Sequence, residues 1–198
     1  MKKIIKYTSI VLTSAAIVAL PVFSASAETS NTIITATIGS TISVQSTSNV
    51  ALNINPTATQ AKASSGKATV TVSTNNATGY NLKIGMNGAD RNLNKASDNI
   101  TAHAGTLAAP TALANNAWGY RVENVGGFNA GNVTPENNVD NLAGTFAGVP
   151  AQGAEEEIKN HNAAVQSNTT DVLFGAKVDA TKPSGAYTGT VVFTATAN

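Results

Sequence analysis

The chain has 198 residues, no cysteine and 12% charged residues, with 12 Lys and Arg against 11 Asp and Glu. That near-neutral balance excludes a basic nucleic-acid surface, and the missing Cys excludes disulfides, thiolate metal sites and a cysteine nucleophile. Frequent Ala, Thr, Asn, Gly, Ser and Val suit strands joined by Asn/Gly turns; disordered chains carry higher net charge and fewer β-branched residues.

The first predicted element is an address. Lys2, Lys3 and Lys6 form a positive region, Ile10 to Leu20 is apolar, Pro21 breaks the run, and Ala25, Ser26 and Ala27 are small. This pattern predicts a signal peptide over residues 1–27, cut between Ala27 and Glu28. A spanning helix needs about 20 apolar residues, more than this run supplies, so no membrane span is expected in the mature chain. Cleavage takes three of the 12 basic residues and none of the 11 acids, leaving 171 residues at a net charge of −2. That length can build one hydrophobic core without disulfides.

Strand signals follow in short repeats. Residues 32–45, TIITATIGSTISVQ, form the first, interrupted by Gly39. Val50, Leu52 and Ile54 alternate inward over residues 50–54, and Pro56 ends that run. Residues 67–74 place Ala68, Val70 and Val72 on one face and Thr69, Thr71 and Ser73 on the other. The turn chemistry of Asn75 to Gly79 leads into residues 80–86, where Tyr80, Leu82, Ile84 and Met86 point inward. Residues 67–86 therefore predict a β-hairpin. Trp118, Tyr120 and Val122 alternate over residues 116–123. The stretch 124–168 reads as an irregular Asn/Gly/Ala-rich insertion with one short strand at 144–149. Residues 153–165 have only Ile158 and Val165 as large apolar residues, and predict a loop or one helical turn. Val172, Phe174, Ala176 and Val178 mark a strand over 171–179, and the turn at 180–185 returns it to a closing strand at 186–198. The expected fold is all-β: a single antiparallel β-sandwich over residues 28–198, immunoglobulin-like or jelly-roll-like.

Chemistry-bearing patterns are sparse. His103 and His161 lie in Asn/Ala-rich stretches without metal-ligand spacing and read as solvated loop residues. No Gly-x-Ser-x-Gly elbow is present, and the acids are scattered, so no enzyme and no cofactor is expected. Asp90, Asn92, Asn94 and Asp98 partly match a calcium loop, but Lys95 replaces its Gly and Thr101 its Glu, which favours a plain Asx-rich surface loop. Among the aromatics, Trp118 reads as core, and Phe128 is the candidate for an exposed ring that contacts a glycan. A Lys–Asn cross-link would need a buried Lys; Lys83 and Lys177 fall on the face opposite the inward residues.

At STNNATGYNLKI, NNAWGYRV and FGAKVDATKPSGAYTGTVVFTATAN the chain resembles exported bacterial surface proteins that pair a Gly-Tyr hairpin with a final Lys-Pro-x-Gly-x-Tyr-Thr strand. The last strand is similar to the end of the WxL cell-wall-associated domain, although the Trp-x-Leu motif itself is absent, since Gly119 and Tyr120 follow Trp118. The resemblance implies an envelope-associated β-sandwich and no particular activity. Three roles are consistent with these readings. The first is a non-enzymatic secreted or surface protein with a structural or adhesive task, partnered by a cell-wall polymer or another surface protein. The second is a glycan- or peptidoglycan-binding module. The third is a fibre or pilus-like subunit that self-associates by strand addition, with residues 32–45 as the donor. No sorting motif, terminal apolar stretch or lipidated Cys is read in the chain, so the mature protein is expected to be either released or held at the cell wall non-covalently.

Overall fold

A computed structural model describes residues 32–129 and 134–198. The expected signal peptide and its cleavage site at Ala27 and Glu28 lie outside the described residues. The chain divides into two units, Met1–Thr37 and Ile38–Asn198. Residues 32–37 of the first contain no strand, and every strand described below belongs to the second. Among the described residues there are nine strands and no helix, so none is long and apolar enough to cross a membrane.

The strands are β1 (Ile42–Ser46), β2 (Lys62–Thr74), β3 (Tyr80–Met86), β4 (Leu93–Lys95), β5 (Asp98–Ala102), β6 (Ala117–Val122), β7 (Glu156–His161), β8 (Val165–Val178) and β9 (Val191–Ala197). Six form one sheet in the order β1-β2-β8-β6-β5-β4, and three form another in the order β7-β3-β9. Every pairing is antiparallel except β5 with β6. The expected all-β class holds, with both sheets contributing to one core.

That core follows the period-two patterns. Val70 and Val72 of β2, Leu82 and Ile84 of β3, Tyr120 of β6 and Val172 of β8 are each 0% exposed and belong to one cluster. A strand with one buried face alternates, as residues 68–74 and 80–84 do, whereas residues 172–176 of β8 are all buried. β6 departs from alternation, since all six of its residues are buried. Its second face is covered by the segment around Phe146. The bridge from Tyr120 to Ala147 and a smaller cluster of Ala63, Leu113, Leu142, Phe146 and Leu173 line that outer side. Gly119 fits there because a Cβ would stand 2.4 Å from the carbonyl oxygen of Ala147.

Four sequence expectations are corrected. The 67–86 hairpin does not form: β2 lies in the six-stranded sheet and β3 in the three-stranded one. The five-residue link arches between sheets, so the apolar faces of β2 and β3 meet across the core rather than side by side. Gly79 (φ +82°) is needed in that arch, because a Cβ would run into the carbonyl of His161. The closing strand pairs with β3, not with residues 171–179, since both edges of β8 are occupied by β2 and β6. Residues 153–165 contain strand β7, whose Ile158 is fully buried against the core. Finally, only residues 42–45 of the 32–45 run pair, in a strand that continues to Ser46, because β2 ends at Thr74, the partner of Ile42.

Candidate functional site

A cleft of about 1240 Å³ is flanked by two extended arms, residues 46–56 and 180–191. Its size exceeds the roughly 300–1,000 Å³ usual for small-molecule sites. The floor is the inner face of the six-stranded sheet, including Ala68, Trp118, Phe174 and Ala176. The Trp118 and Phe174 rings sit 6.4 Å apart, and Trp118 Nε1 donates to the Arg91 carbonyl at 2.9 Å. The indole is thereby locked as a wall of packed apolar surface with its one polar atom satisfied.

The first arm keeps the alternation that its sequence shows. Val50, Leu52 and Ile54 are half-buried against the core, while Ala51, Asn53 and Asn55 are exposed. Yet no strand ladder forms, so residues 50–54 behave as a strand on one face only. The arm is pinned at its odd residues. Thr47 N donates to the Thr69 carbonyl at 3.2 Å, Ser64 Oγ donates to the Asn53 carbonyl, and Asn55 N donates to Asn138 Oδ1 at 2.8 Å. Gly66 allows the close approach, since a Cβ would lie 2.6 Å from Val50 Cγ1. Across the cleft, Tyr187, Val191 and Phe193 are half-buried. Tyr187 is fixed by its hydroxyl donating to the Pro183 carbonyl at 2.8 Å and by Lys95 Nζ 5.7 Å from its ring centre.

The residues singled out in the sequence are placed elsewhere. Phe128 is 3% exposed and stands edge-on to Tyr120 with ring centres 5.8 Å apart. It is a core residue and offers no ring to a glycan. Trp118 is core as expected, at 3% exposure. Asp90, Asn92 and Asn94 do come together, but in bonds to one another. Asp90 accepts from Asn92 N at 3.0 Å and from Asn94 Nδ2 at 2.8 Å, which holds its carboxyl below the usual range. Asn92 Oδ1 accepts from Ala102 N at 3.2 Å, and Asp98 pairs with Lys95 at the β4–β5 turn. The run is an Asx turn that starts a hairpin.

His103 corrects the solvated-loop reading: it is 3% exposed. Ala114 N donates to Nδ1 at 3.4 Å, which puts the ring proton on Nε2, 2.9 Å from Thr111 Oγ1. Burial lowers its pKa. His161 lies on β7, tilted against the Tyr80 ring at 5.8 Å. Lys177 Nζ does meet an asparagine, Asn141 Oδ1, at 2.7 Å. Asn141 is exposed, and the Lys62 ammonium beside Asp140 holds that neighbouring carboxyl ionised. Amide bond formation there would need a desolvated neutral amine and a proton donor, the opposite of this setting.

The cleft itself was only half visible in the sequence. Alternation in residues 50–54 and in the closing strand identified both walls as inward-facing, but it assigned the closing strand to the wrong neighbour. Gly66 was the available signal, a glycine inside a strand marking a close backbone approach. No family model, no curated protein and no solved structure matches the chain.

Proposed function

We propose that the protein is a secreted or cell-surface β-sandwich with a structural, non-catalytic role, and that it performs this role by joining to copies of itself through strand addition. One observation carries the reading. Ile33, Ile34 and Ile38 are 89%, 90% and 85% exposed. Scattered exposed apolar residues are ordinary, but three nearly bare isoleucines within six positions of sequence call for a partner. Burying each would contribute about 1.5–3 kcal/mol. Sheet edges supply the other half of a strand-addition contact, since β1, β7 and β9 end their sheets, while the edge of β4 is taken by Thr188.

Export is attributed to the basic and apolar start of the chain, and its envelope partners to a cell-wall polymer or another surface protein. A glycan-binding role has less support, because its chosen ring, Phe128, is buried. The reading is tested by removing residues 32–38 from the full-length protein and comparing the two forms by size-exclusion chromatography with light scattering. The intact protein should form concentration-dependent assemblies and the shortened one should remain monomeric. Monomers in both cases would end the self-assembly reading.

A further inference from the structure

The cleft has open hydrogen-bonding edges along both walls. In the closing segment, Asn87 N donates to the Thr190 carbonyl at 2.9 Å, Asn198 N to the Gly79 carbonyl at 3.2 Å, and Thr188 exchanges both backbone bonds with Asn94. The even residues therefore spend their backbone groups on β3 and β4. In an antiparallel ladder the intervening residues point the other way. The N–H and C=O groups of Gly189, Val191 and Phe193 accordingly face the cleft, and among the described residues none has a backbone partner. The opposite wall mirrors this. Its odd residues, Thr47, Asn53 and Asn55, are the pinned ones, and the backbone groups of Val50, Leu52 and Ile54 are unpaired among the described residues.

From this we infer that the cleft is an acceptor for one extended strand, and that its occupant is residues 32–38 of a second copy of the chain; the inference rests on the self-assembly reading above. Four features match. Residues 32–38, Thr-Ile-Ile-Thr-Ala-Thr-Ile, are seven residues long, the same length as β9. Their even positions, Ile34, Ala36 and Ile38, form one apolar face to lie between the half-buried Val50, Leu52 and Ile54 of one wall and Tyr187, Val191 and Phe193 of the other. Their odd positions, Ile33, Thr35 and Thr37, would point outward beside Val192 and Thr194, the solvent side of β9. No charged residue occurs in the segment, and the one charged group of the cleft lining, Lys182, already donates to the Asn99 carbonyl at 2.5 Å, so the incoming strand brings no charge to be desolvated. Donor and acceptor are different segments of the chain, so the contact is heterologous and each copy donates to the next.

The test uses the full-length protein and two variants. Ile34→Asp puts a charge on the donor face and leaves the acceptor intact. Val191→Pro removes an N–H that only the incoming strand would use, at the first residue of β9, where proline is tolerated. Folding of each is checked by the fluorescence of Trp118, the single Trp, and by urea midpoint. Sedimentation velocity should show growing species for the parent protein and monomers for each variant alone. An equimolar mixture of the two variants should form heterodimers and stop there, because one donor and one acceptor remain. If Val191→Pro does not fold, Leu52→Asp on the facing wall takes its place in the same mixture. A parent protein that is monomeric at millimolar concentration overturns both the self-assembly reading and this inference. A parent that assembles while the folded acceptor variant assembles equally well, or a mixture of folded variants that yields no heterodimer, overturns the cleft assignment alone.

Discussion

Ile158 offers the sharpest check on how the second sheet is held. It sits in β7, among Glu156, Glu157, Lys159, Asn160 and His161, and is the only apolar side chain of that strand. It is 0% exposed. Ile158→Ala deletes three carbons, each worth about 0.8 kcal/mol of transfer free energy. A residual cavity of roughly 40 Å³ would add about 1 kcal/mol at 24 cal/mol per Å³. The expected loss is therefore about 3 kcal/mol, and Ile158→Val should lose about 1 kcal/mol. Urea unfolding followed by Trp118 fluorescence reads it. With a slope of about 2–3 kcal/mol/M, the alanine variant should shift the midpoint by about 1–1.5 M. A shift below roughly 0.3 M would mean that residues 156–161 are a surface loop, and the placement of β7 beside β3 would be wrong.

Three further outcomes are expected. His103 is buried and its pKa is lowered, so its contribution to stability is complete above the unfolded value of about 6.5 and is lost as pH falls from there through the folded value. Thermal melts should decline as the pH falls below about 6.5, and His103→Gln should flatten that slope; an unchanged slope would refute the assignment. Tyr120→Phe removes a hydroxyl that donates to Glu156 Oε2 at 2.9 Å and should cost about 1–2 kcal/mol in the same urea assay. A neutral result there would mean that water replaces the bond without loss. Gly119→Ala places a Cβ 2.4 Å from the Ala147 carbonyl and should cost about 1–3 kcal/mol; a variant as stable as the parent would show that the 143–149 segment is free to move off β6.

The strands were legible because burial on one face forces a period of two, and Val70, Leu82, Trp118 and Phe174 all obey it. Partners were not legible, since alternation states which way a side chain points and nothing about which strand lies alongside. The five-residue link at Asn75 to Gly79 is as suitable for an arch between sheets as for a hairpin within one. β7 escaped notice because an edge strand with one solvated face and one inward residue has almost no apolar signal. Phe128 was misread for a related reason: it lies in a loop by sequence, but the 124–129 turn folds back to place it on Tyr120, with Phe128 N donating to the Val125 carbonyl at 3.0 Å. The cleft depends on two segments more than 130 positions apart, residues 50–54 and 187–193, which no local pattern could bring together.

The most direct measurement is amide exchange by NMR on the Ile34→Asp chain, isotopically labelled, with and without the unlabelled Val191→Pro chain as strand donor. The amides of Val192 and Thr194 face β3 and should be protected in both samples. Those of Val191 and Phe193 should exchange rapidly alone and become protected when the donor is added. Protection of Val191 and Phe193 in the free chain, or no change on adding a donor that binds, would contradict an acceptor edge at β9.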